Sequence, residues 1–192
     1  MTAFYLTHPQ VLLDPAVPVP RWGLSPLGHE RARRLAASPF AKRLRRVVSS
    51  EEVKAVETAA PLAEAAGVEV EIRPDCHEND RSATGYLPPP EFEATADLFF
   101  AHPDDSVRGW ERAVDAQARI VEVVGRVLAE RPDAETLFVG HGGVGTLLLC
   151  HLLGRPIARM RDQPPGGGNL FAFEGRQVIH GWRALEEVAA DA

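Results

Sequence analysis

The sequence predicts an α/β protein, a three-layer α/β/α sandwich on a mostly parallel central sheet. Three observations carry this. Short strand-like runs (AFYLT, RVVS, TLFVG) alternate with longer segments of helical periodicity, the order that wraps helices over both faces of one sheet. Two of those runs, AFYLT and TLFVG, are apolar but for one terminal threonine, as strands covered on both faces are. A chain of 192 residues with no internal repeat suits one unit spanning 1–192 rather than two.

Each element follows from local chemistry. Residues 3–7 form the first strand, which ends at His8 and Pro9. A proline-rich loop runs from Asp14 to Trp22, and Ser25-Pro26 reads as an N-cap with proline at the first helical position, opening a helix to about Ala37. Residues 46–49 form the second strand, and Ser50 is expected to cap the helix that begins EEVKAVETAA. Pro61 kinks or restarts that helix and Gly67 stops it. VEVEIRP (68–74) is the third strand. Residues 75–109 are irregular, with a short helix near 90–101, and read as a lid or insertion over a site. Trp110, Val114, Ile120, Val124 and Leu128 mark a long amphipathic helix over 110–131. TLFVG (136–140) is a further buried strand, GVGTLLLCHLLG a buried helix, and two segments around Glu174-Gly175 a terminal strand pair. The glycine run 166–168 is expected to be a mobile loop.

Composition excludes several classes. With 45% hydrophobic and 25% charged residues the chain is globular, not disordered or fibrous. Its two cysteines have no CxxC partner, so neither a disulfide framework nor a cysteine zinc site is expected. No apolar run reaches about 18 residues and no leader pattern opens the chain, so a soluble cytoplasmic protein without membrane contact is expected. The net charge is −6, yet Arg31, Arg33, Arg34, Lys42, Arg43, Arg45 and Arg46 crowd the first fifty residues. No aromatics interleave, so the cluster reads as solvated surface and not as a nucleic-acid patch.

Chemistry concentrates where strands end, the edge at which open parallel sheets bind ligands. His8 follows the first strand, Ser49 and Ser50 the second with Lys54 one turn on, Glu78 the third, and His141 the run TLFVG. In His141-Gly142-Gly143, the free N–H groups of a helix start lie beside an imidazole, a combination that suits a phosphoryl group. A carboxyl at Glu78 close to a bound anion has its neutral form favoured by like charge, as a general acid requires. The Gly140–Gly145 stretch also fits GxGxxG, but it lies late in the chain. The candidate acid, Asp162, sits in a loop, so a dinucleotide is discounted. His77-Glu78-Asn79-Asp80 are too close along one strand exit to converge on a metal, and no cofactor is expected.

These residues resemble the histidine phosphatase superfamily, also called phosphoglycerate mutase-like. The first strand of that family ends in Arg-His-Gly with a histidine that becomes phosphorylated; here the stretch is Thr7-His8-Pro9. SSEEVKAVETA resembles its S-S-P-x-x-R-A-x-x-T-A motif, with Lys54 at the arginine, and VGHGGV places His141 at the second histidine. The resemblance implies a metal-independent phosphomonoesterase acting on a small phosphorylated metabolite. His8 would be nucleophile, Glu78 acid and base, and His141, Lys54 and the Gly142 N–H the phosphate holders. Thr7 stands where an arginine is usual and would give the phosphate only a hydroxyl, so Arg21 or Arg81 is expected to compensate. The alternatives are a member that binds a phosphorylated ligand without turnover, and a phosphomutase. The partners expected are that substrate and at most a second copy of the chain, as a homodimer.

Overall fold

Alternation within β1 (Ala3–Thr7) sends Phe4 and Leu6 to one side of the sheet and Tyr5 to the other, and both sides find apolar cover. That cover makes the three layers. The computed structural model describes residues 1–191. Its helices are α1 (Pro26–Ala36), α2 (Pro39–Arg43), α3 (Val53–Ala66), α4 (Pro89–Ala101), α5 (Ala113–Glu130), α6 (Gly142–Leu152) and α7 (Leu185–Ala190). The remaining strands are β2 (Arg46–Ser49), β3 (Val70–Ile72), β4 (Thr136–Gly140), β5 (Asn169–Glu174) and β6 (Gln177–Ala184).

The sheet order is β3-β2-β4-β1-β5-β6. The first four are parallel; β5 runs antiparallel to β1, and β6 to β5. On one face α1, α2, α3 and α7 cover Phe4, Leu6, Val47, Leu137, Val139 and Leu170. On the other, α4, α5 and α6 cover Tyr5, Val48, Phe138, Phe171 and Phe173. Register does the positioning. Thr7 pairs with Gly140 and Ser49 with Val139, so the residues leaving β1, β2 and β4 emerge at one level of one edge.

Local signals explain most boundaries. Ser25 Oγ accepts from the Gly28 N–H at 3.1 Å with Pro26 at the first turn, and Gly67 ends α3 at φ +69°. Pro61 neither breaks nor restarts α3, which runs on through it. The other departures are physical in origin. Ser50 does not cap α3: Glu52 takes the cap position, and the Ser50 hydroxyl is drawn to His141. Trp110 precedes α5, because its indole packs beside Phe99 and its Nε1 donates to Thr84 at 2.9 Å. The strand at 68–74 is confined to Val70–Ile72 at the sheet edge. Arg46 is no solvated surface cation. It is 2% exposed, paired with Glu71 and Glu130 and donating to the Val127 carbonyl. Among the described residues no helix is long and apolar enough to cross a membrane.

Candidate active site

His8 and His141 leave adjacent parallel strands one residue beyond the Thr7–Gly140 pair, and their rings face each other edge to face, centroids 5.4 Å apart. Two phenol bonds fix the exit of β4: Tyr5 Oη accepts from the His141 N–H at 3.1 Å and donates to the His141 carbonyl at 3.2 Å. At β1 the His8 N–H donates to the Gly140 carbonyl, and the His8 carbonyl accepts from the Gly168 N–H, both at 3.0 Å. The glycine run 166–168 is thus folded onto the first histidine. A Cβ at Gly167 would strike the His8 carbonyl oxygen, and its φ of +65° lies in the left-handed region that glycine enters at least cost.

The tautomer of the His8 ring is set by its neighbour. Its Nδ1 lies 2.9 Å from the Pro9 carbonyl oxygen, which can only accept, so Nδ1 carries the proton and Nε2 the lone pair. Burial, then the neighbouring His141, and also Lys54, push its pKa down to about 3, against the opposing Pro9 bond. At neutral pH the imidazole is therefore uncharged.

His141 is fully buried. Its Nε2 meets Ser50 Oγ at 2.7 Å and Glu52 Oε1 at 3.3 Å, whereas its Nδ1 is buried without a hydrogen-bond partner. Burial lowers its pKa although Glu52 and Glu78 oppose this. Glu52, which nothing in the sequence singled out, is the hub beneath the site. One oxygen pairs with Lys54 Nζ; the other accepts from the Glu78 N–H at 3.0 Å. Burial pushes its carboxyl up, but His141 and Lys54 outweigh this and hold it at about 2. Lys54 is accordingly committed, to Glu52 and to the Val19 carbonyl at 2.9 Å, and is not the free phosphate clamp that its motif position implied.

Glu78 departs from expectation in another way. Its carboxylate sits on the N-terminus of α6, accepting from the N–H groups of Gly143 and Val144, each at 3.0 Å. Burial raises its pKa, yet Arg81, His141 and those two donors bring it below the usual range, so in the unliganded site it is a carboxylate. The helix end expected to cradle an anion already holds the Glu78 carboxylate, and among the described residues the Gly142 N–H there has no partner. Arg119 steadies the segment that delivers Glu78, donating to the carbonyls of Asp75 (2.9 Å) and His77 (3.0 Å).

Of the two candidate replacements for the missing arginine, Arg81 reaches the site, 4.0 Å from Glu78 Oε2 and stacked over Phe92 and Trp110. Arg21 is exposed, and its neighbours Val19 and Trp22 line the cavity instead. Thr7 is buried and turned away: its hydroxyl donates to Gln163 Oε1 at 2.6 Å and accepts from the Asn169 N–H at 3.0 Å. Gln163 is the second residue missed. Asn169 Nδ2 donates both to the Pro164 carbonyl and to Gln163 Oε1, which settles which end of the Gln163 amide is oxygen. Gln163 Nε2 therefore lies against Gly142, where a Cβ would collide with it. A loop of proline and glycine composition gave no sign that it would fold back here.

Above His8 opens a cavity of about 240 Å³, roofed by residues of the 75–109 segment. Comparison with known proteins places the family and the fold. The model of the histidine phosphatase superfamily (branch 1) matches residues 19–180, a span beginning after His8. No curated protein sequence matches the chain. Among solved structures, a mycobacterial glucosyl-3-phosphoglycerate phosphatase with inorganic phosphate superposes with TM-score 0.75 and 24% identity, over 95% of this chain and 94% of that one. A phosphoserine phosphatase from Entamoeba histolytica, in complex with 3-phosphoglyceric acid, gives 0.77 and 14% identity over 95% and 96%. The YhfR protein of Bacillus stearothermophilus gives 0.76 and 20% identity, over 94% of each chain. At these identities the likeness is one of fold.

Proposed function

From the premise that the chain belongs to the histidine phosphatase superfamily, branch 1, we propose that it hydrolyses a small phosphate monoester through a phosphohistidine on His8. One observation carries the reading: an uncharged, correctly oriented His8 faces a buried His141 whose Nδ1 has no partner. A tetrahedral oxyanion between the rings supplies that partner. Its charge raises His141 toward imidazolium, so that Nε2–H serves Glu52 while Nδ1–H serves a phosphoryl oxygen. The Gly142 N–H, Gln163 Nε2 and Arg81 complete the oxyanion's donors, and Thr7 acts through Gln163.

In the first step the lone pair on His8 Nε2 forms a bond to phosphorus as the ester P–O bond breaks. The leaving oxygen takes a proton from Glu78. That proton is absent from the free enzyme; the substrate's charge, and the draw of Arg81 toward the phosphoryl group, raise Glu78 to its acid form. In the second step water adds to phosphorus, the N–P bond breaks, and Glu78 takes the water proton. Preorganised donors carry the transition-state charge throughout.

The commitment of Lys54 to Glu52 favours one second reading, a member that binds phosphorylated ligands without turnover. The experiment is single-turnover incubation with a phosphorus-labelled aryl phosphate. Phosphate release with an acid-labile label on the protein, both abolished by His8→Ala, is the expected result. Undiminished release from His8→Ala ends the nucleophile assignment. Anion binding without release from any of a broad panel of esters establishes the second reading.

A further inference from the structure

Walls, not floor, decide which ester a phosphatase accepts, and here the walls are apolar. Val11, Val19, Trp22, Tyr86, Leu87 and Phe92 enclose the space above His8, with Leu13 at the rim. Trp22 Nε1 is taken up by the carbonyls of Asp14 and Val17, each at 2.9 Å, so the indole offers the cavity no free donor. Tyr86 packs against it, centroids 5.7 Å apart.

The charge inventory points the same way. The cations of this lining are Lys54 and Arg81. Glu52 neutralises the first; the second lies beside Glu78, where the phosphoryl group needs it. Glu93, the lining's anion, is paired with Arg159. Among the described residues, no cation of this wall is left to receive a carboxylate on the alcohol part of a substrate, and placing one there unpaired is costly.

We infer that the leaving alcohol is uncharged and predominantly apolar, an aromatic or comparably bulky group seated between Trp22, Tyr86 and Phe92, and not a carboxylated alcohol. This rests on the phosphomonoesterase reading and deepens it. An aryl leaving group accelerates cleavage by its own acidity, so rates alone mislead and binding of non-hydrolysable phosphonates carries the test. Calorimetry on the full chain compares 1-naphthylmethylphosphonate with 3-phosphonopropionate. The naphthyl compound is expected to bind at least tenfold more tightly, and Tyr86→Ala to shrink that ratio by raising its Kd alone. Leu13→Lys, at an exposed rim position, is expected to move preference toward the carboxylated probe. Equal or tighter binding of 3-phosphonopropionate to the unaltered protein overturns the inference. Because neither probe is cleaved, these outcomes hold even if no ester is hydrolysed, a result that would fell the enzymatic reading instead.

Discussion

At the scale of single residues the site turns on Glu52, a carboxylate 6% exposed that touches Lys54, His141 and the Glu78 backbone together. Removing its charge leaves Lys54 buried beside a neutral amide. Glu52→Gln should cost about 3 kcal/mol by urea unfolding, the low end for breaking a buried pair, since the Val19 carbonyl remains for the ammonium. It should also lower kcat/KM by roughly 10², the scale of one lost transition-state donor. A purely structural role would show the first effect alone. The discriminating readout is the imidazole nitrogen spectrum of His141: phosphate should turn it into imidazolium in the parent protein and leave it neutral in Glu52→Gln. His8 and His141 were visible in the sequence because each is an ionisable residue ending an apolar strand. Glu52 was not, since an acid at a helix start is ordinary and only register reveals what lies across from it. Gln163 was hidden more deeply still, because nothing local dictates where a proline- and glycine-rich loop returns.

At the scale of elements, two of the three glycines of α6 serve different tasks. Gly142 faces Gln163, so a Cβ there displaces the end of a flexible side chain, a small cost in stability. A Cβ at Gly145 would lie 2.5 Å from the Tyr5 ring and 3.0 Å from Trp182, where packed aromatics have nowhere to go. Gly142→Ala should therefore keep its unfolding free energy within about 0.5 kcal/mol and lose phosphate affinity. Gly145→Ala should lose about 1–3 kcal/mol of stability through overpacking. Calorimetric unfolding and phosphate titration of both variants check the division, and the reverse pattern would remove Gln163 from the oxyanion's donors. The elements themselves were largely legible, from capping residues, period and stop signals. What escaped were α2 and α7, short helices with too few turns to show a period, and the order β3-β2-β4-β1-β5-β6, which no segment encodes alone.

At the scale of the whole molecule, assembling this site sets how stability answers to acid. His8 has an unfolded pKa of about 6.5 and a folded one of about 3. Between those values the unfolded chain holds a proton that the folded chain refuses, so stability falls as pH falls below 6.5. Glu52 acts in the same direction over a lower window: its folded pKa of about 2 lies below the usual 4.5, and its contribution fades as pH drops from 4.5 toward 2. The descent should be gentle from pH 6.5 to 4.5 and steeper beneath. His8→Gln removes one of the refused protons, so its stability profile should be flatter than the parent's across the upper window, by as much as ~1.4 kcal/mol per pH unit. Urea unfolding at half-unit intervals from pH 7 to 4.5 measures this. Parallel profiles for the two proteins would mean that His8 titrates near 6.5 in the folded state as well, so that below that pH its Nε2 would carry a proton and have no lone pair for phosphorus.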